Sequence, residues 1–233
     1  MLDRLKIITA RRGYVFHLDD IRLSVLCTGQ IPNTIQQHFG FQAVGIGTPQ
    51  RTFGEVPLTN PPGLVFNLGS VQPSEGVSTP IRFLHFEPQR IVIDIAGPSY
   101  VLDQVFEQVQ NLLSQVQTLD GAPVLGEPID TQNYSEVTAR LGFEFSELIS
   151  RPLLEIAQQA FAEDVEDYRA FPVNMLFHVE ESSAAIGQPA VGQSIQVRAG
   201  TRVDERIYFS ATGLTSDENI AWLEALDERF SQG

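Results

Sequence analysis

The chain has 233 residues, 42% of them apolar and 19% charged, a composition that belongs to a folded globular protein and excludes a disordered one. With 29 acidic against 15 basic residues its net charge is −14, which repels phosphate backbones, so no nucleic-acid partner is expected and binding through Arg4, Lys6, Arg11 and Arg12 is the weakest of the readings. The single cysteine, Cys27, excludes an intrachain disulfide and a thiolate metal cluster, and no apolar run approaches the ~20 residues of a membrane span.

The N-terminal MLDRLKIITARRGYVF lacks the unbroken apolar core of a signal peptide, so a cytoplasmic protein is expected. Strand patterns follow at Leu5–Thr9, Tyr14–His17 and Ile21–Cys27, with Cys27 expected as a small buried residue. A short helix begins near Pro32, keeps Ile31, Ile35 and Phe39 on one side, and ends at Gly40. Residues 45–63 read as a long loop, after which strands are predicted at Leu64–Leu68, Ile81–Phe86 and Ile91–Ile95. Pro88 places a turn between the last two, because proline cannot donate to a sheet ladder. Ser99 can cap an amphipathic helix whose apolar positions run Val101, Leu102, Val105, Phe106, Val109, Leu112, Leu113 and Val116, with Gly121 as a stop.

The Gly/Pro-rich stretch 120–133 reads as a linker. Beyond it come a strand at Glu136–Phe143, a helix after Ser150 with Pro152 in its first turn, and strands at Val173–Val179, Ile195–Ala199 and Ile207–Ala211. Thr215 and Glu218 form a capping box ahead of Ile220, Leu223, Leu226 and Phe230.

Set end to end, these elements predict an α+β protein of two similar β-α-β-β-α halves, residues 1–120 and 135–233, joined by a linker at 121–134. Each half closes on Arg, alternating apolar residues, Gly and an amphipathic helix: RIVIDIAGPSYVLDQVFEQV against RIYFSATGLTSDENIAWLEAL. A mainly antiparallel sheet with helices on one face is expected. In order of elements alone this arrangement resembles the saddle of duplicated folds such as the TATA-binding protein. The halves differ in charge. Residues 1–120 hold 10 acids and 8 bases (net −2), and residues 121–233 hold 19 acids and 7 bases (net −12).

Chemistry is sparse in the sequence. His17-Leu18-Asp19-Asp20 is turn chemistry without a nucleophile, and no Gly-x-Ser-x-Gly elbow is present. Gly45-Ile46-Gly47-Thr48 begins like a phosphate loop but lacks the Gly-Lys-Ser/Thr ending, and it reads as plain loop. Glu163, Asp164, Glu166 and Asp167 read as a solvated acidic loop. His85 and His178 each precede a glutamate by two residues, a spacing that puts both side chains on one face of a strand. They read as solvent-side residues of half-buried strands. No catalytic residue, metal ligand or cofactor is expected.

One absence stands out. Between Arg22 and Arg82 the only charged residues are Arg51, Glu55 and Glu75, and charge depletion marks interface cores. Within this stretch Phe53, Val56 and Leu58 need an apolar surface to pack on, their own sheet or a partner subunit. The leading expectation is a non-catalytic interaction or assembly protein, acting on a protein partner or on itself through the charge-poor N-terminal half. The alternative is a small-ligand-binding or enzymatic α+β domain whose pocket gathers His85, Glu87, Arg90 and His178.

Overall fold

A computed structural model describes residues 2–47, 63–74, 76–116, 118, 120–162, 172–179 and 191–231. Phe53, Val56 and Leu58, the acidic residues 163–167 and the connection 182–190 lie outside the described residues. The fold is α+β, with nine strands and five α-helices among the described residues and antiparallel pairing throughout the described ladders. The chain divides into two compact units, residues 9–134 and residues 1–8 with 135–233.

In the first unit, β1 (Asp3–Val15, of which residues 9–15 belong here) leads through α1 (Leu23–Leu26) and α2 (Ile31–Phe39) to β2 (Ala43–Gly47), β3 (Gly63–Val71), β4 (Thr79–Phe86) and β5 (Arg90–Ile95). The unit closes with α3 (Tyr100–Ser114). Its strands run in the order β2-β3-β4-β5-β1. Alternation along them sends Phe66, Leu84, Phe86, Ile91, Ile93, Ile95 and Tyr14 into one core with Val101, Val105 and Val109 of α3 and Ile35 and Phe39 of α2. Much of the phenylalanine is spent here, in a run of ring contacts through Phe39, Phe41, Phe66 and Phe86.

Local rules account for the boundaries. Gly40 takes the left-handed conformation (φ 63°) that ends α2, a geometry without penalty for glycine. Ser99 stands at the N-cap of α3, although its side chain makes no capping hydrogen bond to the helix. The Glu87 N–H donates to Arg90 O (2.7 Å) across the turn that carries Pro88.

Three sequence expectations are corrected in this unit. Leu5–Thr9 and Tyr14–Val15 fall in one continuous strand, β1, which ends before Phe16 and His17. Ile21–Cys27 is not a strand: Leu23–Leu26 form a helical turn that buries Leu26 and leaves Cys27 exposed at its C-cap. A seven-residue apolar-rich segment satisfies a helical turn as well as a strand, so periodicity could not separate the two. Residues 45–47, expected as the start of a loop, belong to the strand β2, because pairing with β3 supplies the partner that a short Gly-containing segment lacks by itself.

The second unit holds β6 (Asp130–Arg140, from residue 135), α4 (Arg151–Ala162), β7 (Asn174–Val179), β8 (Val191–Val197), β9 (Ile207–Thr212) and α5 (Ser216–Phe230). Strand order is β6-β9-β8-β7, and Arg140 joins the first residues of β1 through Asp3 (3.5 Å). The core gathers Val137, Ala139, Phe143, Phe145, Ile195, Tyr208 and Leu223. The Thr215–Glu218 capping box forms as the spacing predicts. Buried Asn219 accepts from Ser210 Oγ (2.7 Å) and donates to Ser135 Oγ (3.1 Å), tying α5 to two strands. None of the described side chains of α4 is buried. No described helix is long and apolar enough to cross a membrane.

Candidate functional site

The helices pack on one face of the β2-β3-β4-β5-β1 sheet, and the polar chemistry collects on the other. The register fixes which residues share that second face. His85 on β4 lies opposite Val65 on β3 and Val92 on β5, and Asp94 on β5 lies opposite Phe83 on β4 and Arg11 on β1.

Two buried carboxylates stand on this face, each met by arginine. Glu87 receives Arg90 Nε at 3.0 Å on one oxygen and Arg90 Nη2 at 3.3 Å on the other, a two-point clamp. His85 Nδ1 approaches Glu87 Oε1 to 3.0 Å, at an angle that falls short of a hydrogen bond. Burial alone would push the Glu87 carboxyl up. The contacts with His85 and Arg90 and the guanidinium charge outweigh it and hold the group below the ordinary carboxylate value.

The His85 ring is fully buried, and neither ring nitrogen has a hydrogen-bond partner among the described residues. Its Nε2 faces Gly63, where a Cβ would stand only 2.8 Å away and would meet Phe86 O at 2.0 Å. Glycine is required there by close approach alone.

The second carboxylate, Asp94, accepts from Arg11 Nε at 2.8 Å and lies 3.8 Å from Arg82 Nη1. The Arg11 guanidinium sits 5.5 Å from the Phe83 ring centre and 5.4 Å from that of Tyr134, so two aromatic faces share its charge. Thr9 Oγ1 completes the group, donating to Ile95 O (3.4 Å) and accepting from Arg82 Nη1.

His85, Glu87 and Arg90 are therefore brought together, but with His85 and Glu87 buried and Arg90 half-buried, rather than with the histidine and glutamate on the solvent side of a half-buried strand. His178 falls on β7 in the other unit, where its backbone alone is described. The Asp94–Arg11 partnership was not anticipated. Its signal was present, because an aspartate inside the apolar run IVIDIA requires a buried partner. Among the described residues no three His, Cys, Asp or Glu side chains are placed to hold a metal ion. His17-Leu18-Asp19-Asp20 is a turn closed by the Asp20 N–H on His17 O (3.3 Å), with Asp19 at φ 72°. Beside it an open depression of about 450 Å³ is lined by Leu18, Asp19, Leu23, Val25 and Pro88. His85, Glu87 and Arg90 do not line it.

The charge-poor stretch has its own surface feature. Ile46, Leu68 and Val77 are 79%, 58% and 84% exposed, large apolar side chains left in solvent where few charges accompany them.

No protein-family model matches the chain, and no curated protein matches it by sequence.

Proposed function

We propose that this chain is a non-catalytic interaction or assembly protein that engages a protein partner, another chain or itself, through the charge-poor surface of its 9–134 unit. The observation that carries this reading is the exposure of Ile46, Leu68 and Val77 inside a segment nearly free of charge. Burying such side chains is what an interface core does, at about 1.5–3 kcal/mol for each one fully covered. The clamped carboxylates favour the same reading: arginine already neutralises both Glu87 and Asp94, which suits a rigid support better than reactive groups. The exposed, unpaired Cys27 fits a reducing compartment such as the cytoplasm.

The test is a Leu68→Glu/Val77→Glu double variant compared with the parent by sedimentation velocity and by affinity capture. Assembly weakened at least tenfold, with unchanged circular dichroism, is the expected result. A variant that assembles like the parent sinks this surface.

A second reading, a small-ligand site, is favoured by the convergence of His85, Glu87 and Arg90 and by the Nε2 of His85, which has no hydrogen-bond partner among the described residues. It requires a ligand that donates to that nitrogen, detectable as a shift of the His85 imidazole resonances during ligand titration. We also infer a duplication. Its support is that β3-β4-β5-β1 and β7-β8-β9-β6 run in the same order, a meander with the preceding strand beside its last member, each followed by a helix.

A further inference from the structure

Strand register lays a polar row across the β6-β9-β8-β7 sheet. Ser135 on β6 lies opposite Thr212 on β9, Thr212 opposite Gln193 on β8, and Gln193 opposite Phe177 on β7. Two residues along each strand stand Val137, Ser210, Ile195 and Met175, the row that meets the core and Asn219 of α5. Residues two apart on a strand share a face, so the Ser135–Phe177 row also faces α5. Ser135 Oγ agrees, donating to Thr215 O (3.2 Å) and accepting from Asn219 Nδ2 (3.1 Å).

The middle of this row is unmet. Thr212 is 1% exposed, yet its Oγ1 has no hydrogen-bond partner among the described residues, and the buried Nε2 of Gln193 has none either. Directly opposite residues hold their Cβ atoms ~5 Å apart, so these two groups stand together. A buried polar atom that gives up water without gaining a partner works against folding, and nearly all such atoms are paired. Two side by side are suited to receive one acceptor. The row then ends on aromatic surface. Phe177 is 42% exposed, and its ring meets the half-buried Trp222 of α5 edge to face, with centroids 6.3 Å apart.

We propose that Thr212, Gln193, Phe177 and Trp222 form a small-ligand site for a neutral planar molecule bearing a carbonyl oxygen. The site lies in the other unit from His85 and is independent of both readings above. A hydroxyl and a side-chain amide can each donate, and a carbonyl oxygen with two lone pairs accepts from both at once. A flat ring carrying that carbonyl lies against Phe177 and Trp222, the combination of apolar wall and few convergent polar groups that small-molecule sites use. Charge selects the neutral form. Asp217 and Glu218 open α5 at this end of the sheet, whereas Arg140, Arg198 and Arg206 stand at the opposite ends of β6, β8 and β9. A carboxylate would meet like charge here and none of those arginines.

The test titrates the full chain with benzamide and follows amide spectra by NMR. Trp222 is the only tryptophan, so its indole N–H gives a single resonance, and the Gln193 side-chain amide is identified by its loss in Gln193→Leu. Both signals are expected to shift saturably, with a dissociation constant on the order of a millimolar for so small a probe. Toluene, which lacks the acceptor, and benzoate, which is charged, should bind at least tenfold more weakly. Thr212→Val and Gln193→Leu should each weaken benzamide at least tenfold. Their urea midpoints in Trp222 fluorescence should match the parent's or come later, since no bonded partner is lost. No saturable shift up to ~20 mM benzamide overturns the proposal. So does toluene binding as tightly as benzamide, which would leave an apolar patch only. Parent-like benzamide binding in both variants overturns it too, and an earlier midpoint in Thr212→Val would show that the hydroxyl is already bonded and overturn it as well.

Discussion

Arg90→Met isolates what the buried clamp contributes to the 9–134 unit. In the parent, Glu87 is buried and takes two guanidinium contacts, at 3.0 and 3.3 Å. Removing Arg90 leaves a carboxylate out of water with, among the described residues, His85 beside it. Breaking one side of a buried pair costs about 3–5 kcal/mol, and because Arg90 is itself 27% exposed the low end, about 3 kcal/mol, is expected at pH 7.

The pH dependence gives the sharper signature. The folded-state value of Glu87 is depressed, so its stabilisation is present above the unfolded carboxylate value and is lost as pH falls through the folded one. Without Arg90, burial dominates and the folded value rises above the unfolded one. The variant is then least penalised in acid and loses stability as the pH climbs through and above ~4. The difference between parent and variant should widen from pH 3 to pH 7.

The assay is urea-dependent hydrogen exchange of peptides from β3, β4 and β5, which reads this unit alone. Trp222, the only tryptophan, lies on α5 in the other unit and serves as the internal control. Glu87→Gln/Arg90→Met, which removes both charges, should recover most of the loss. An Arg90→Met chain within ~0.5 kcal/mol of the parent at pH 7, or a difference that does not change with pH, would refute the reasoning.

Two further outcomes follow from packing. Gly63→Ala drives a Cβ to 2.0 Å from Phe86 O and should destabilise the 9–134 unit by about 3 kcal/mol in chemical denaturation, whereas Gly45→Ala, with open space at its Cβ, should stay within ~0.5 kcal/mol. Asn219→Ala strips the Ser210 hydroxyl of its acceptor in a fully buried site and should cost the other unit about 2 kcal/mol, read as an earlier urea midpoint in Trp222 fluorescence.

Local periodicity decided much of this protein. The 3.6-residue repeat from Val101 to Leu113, the Thr215–Glu218 box and the stop at Gly40 each involve neighbours within a turn or two, so α3, α5 and α2 are legible, although α3 ends at Ser114 instead of carrying Val116 toward a stop at Gly121. So is the separation of His85, Glu87 and Arg90, close enough along β4, its turn and β5 that a hairpin must bring them near one another. What the sequence could not decide depends on partners distant along the chain. Whether Leu23–Leu26 coils or extends turns on packing Leu26 into a core drawn from other elements. Gly45-Ile46-Gly47 becomes a strand only because β3 is there to pair with it. Asp94 finds Arg11 across 83 positions, and which face of β4 lies buried, and with it the burial of His85, follows from strand register rather than from composition. Backbone propensity acts within a few residues, whereas register and burial are set by the whole sheet.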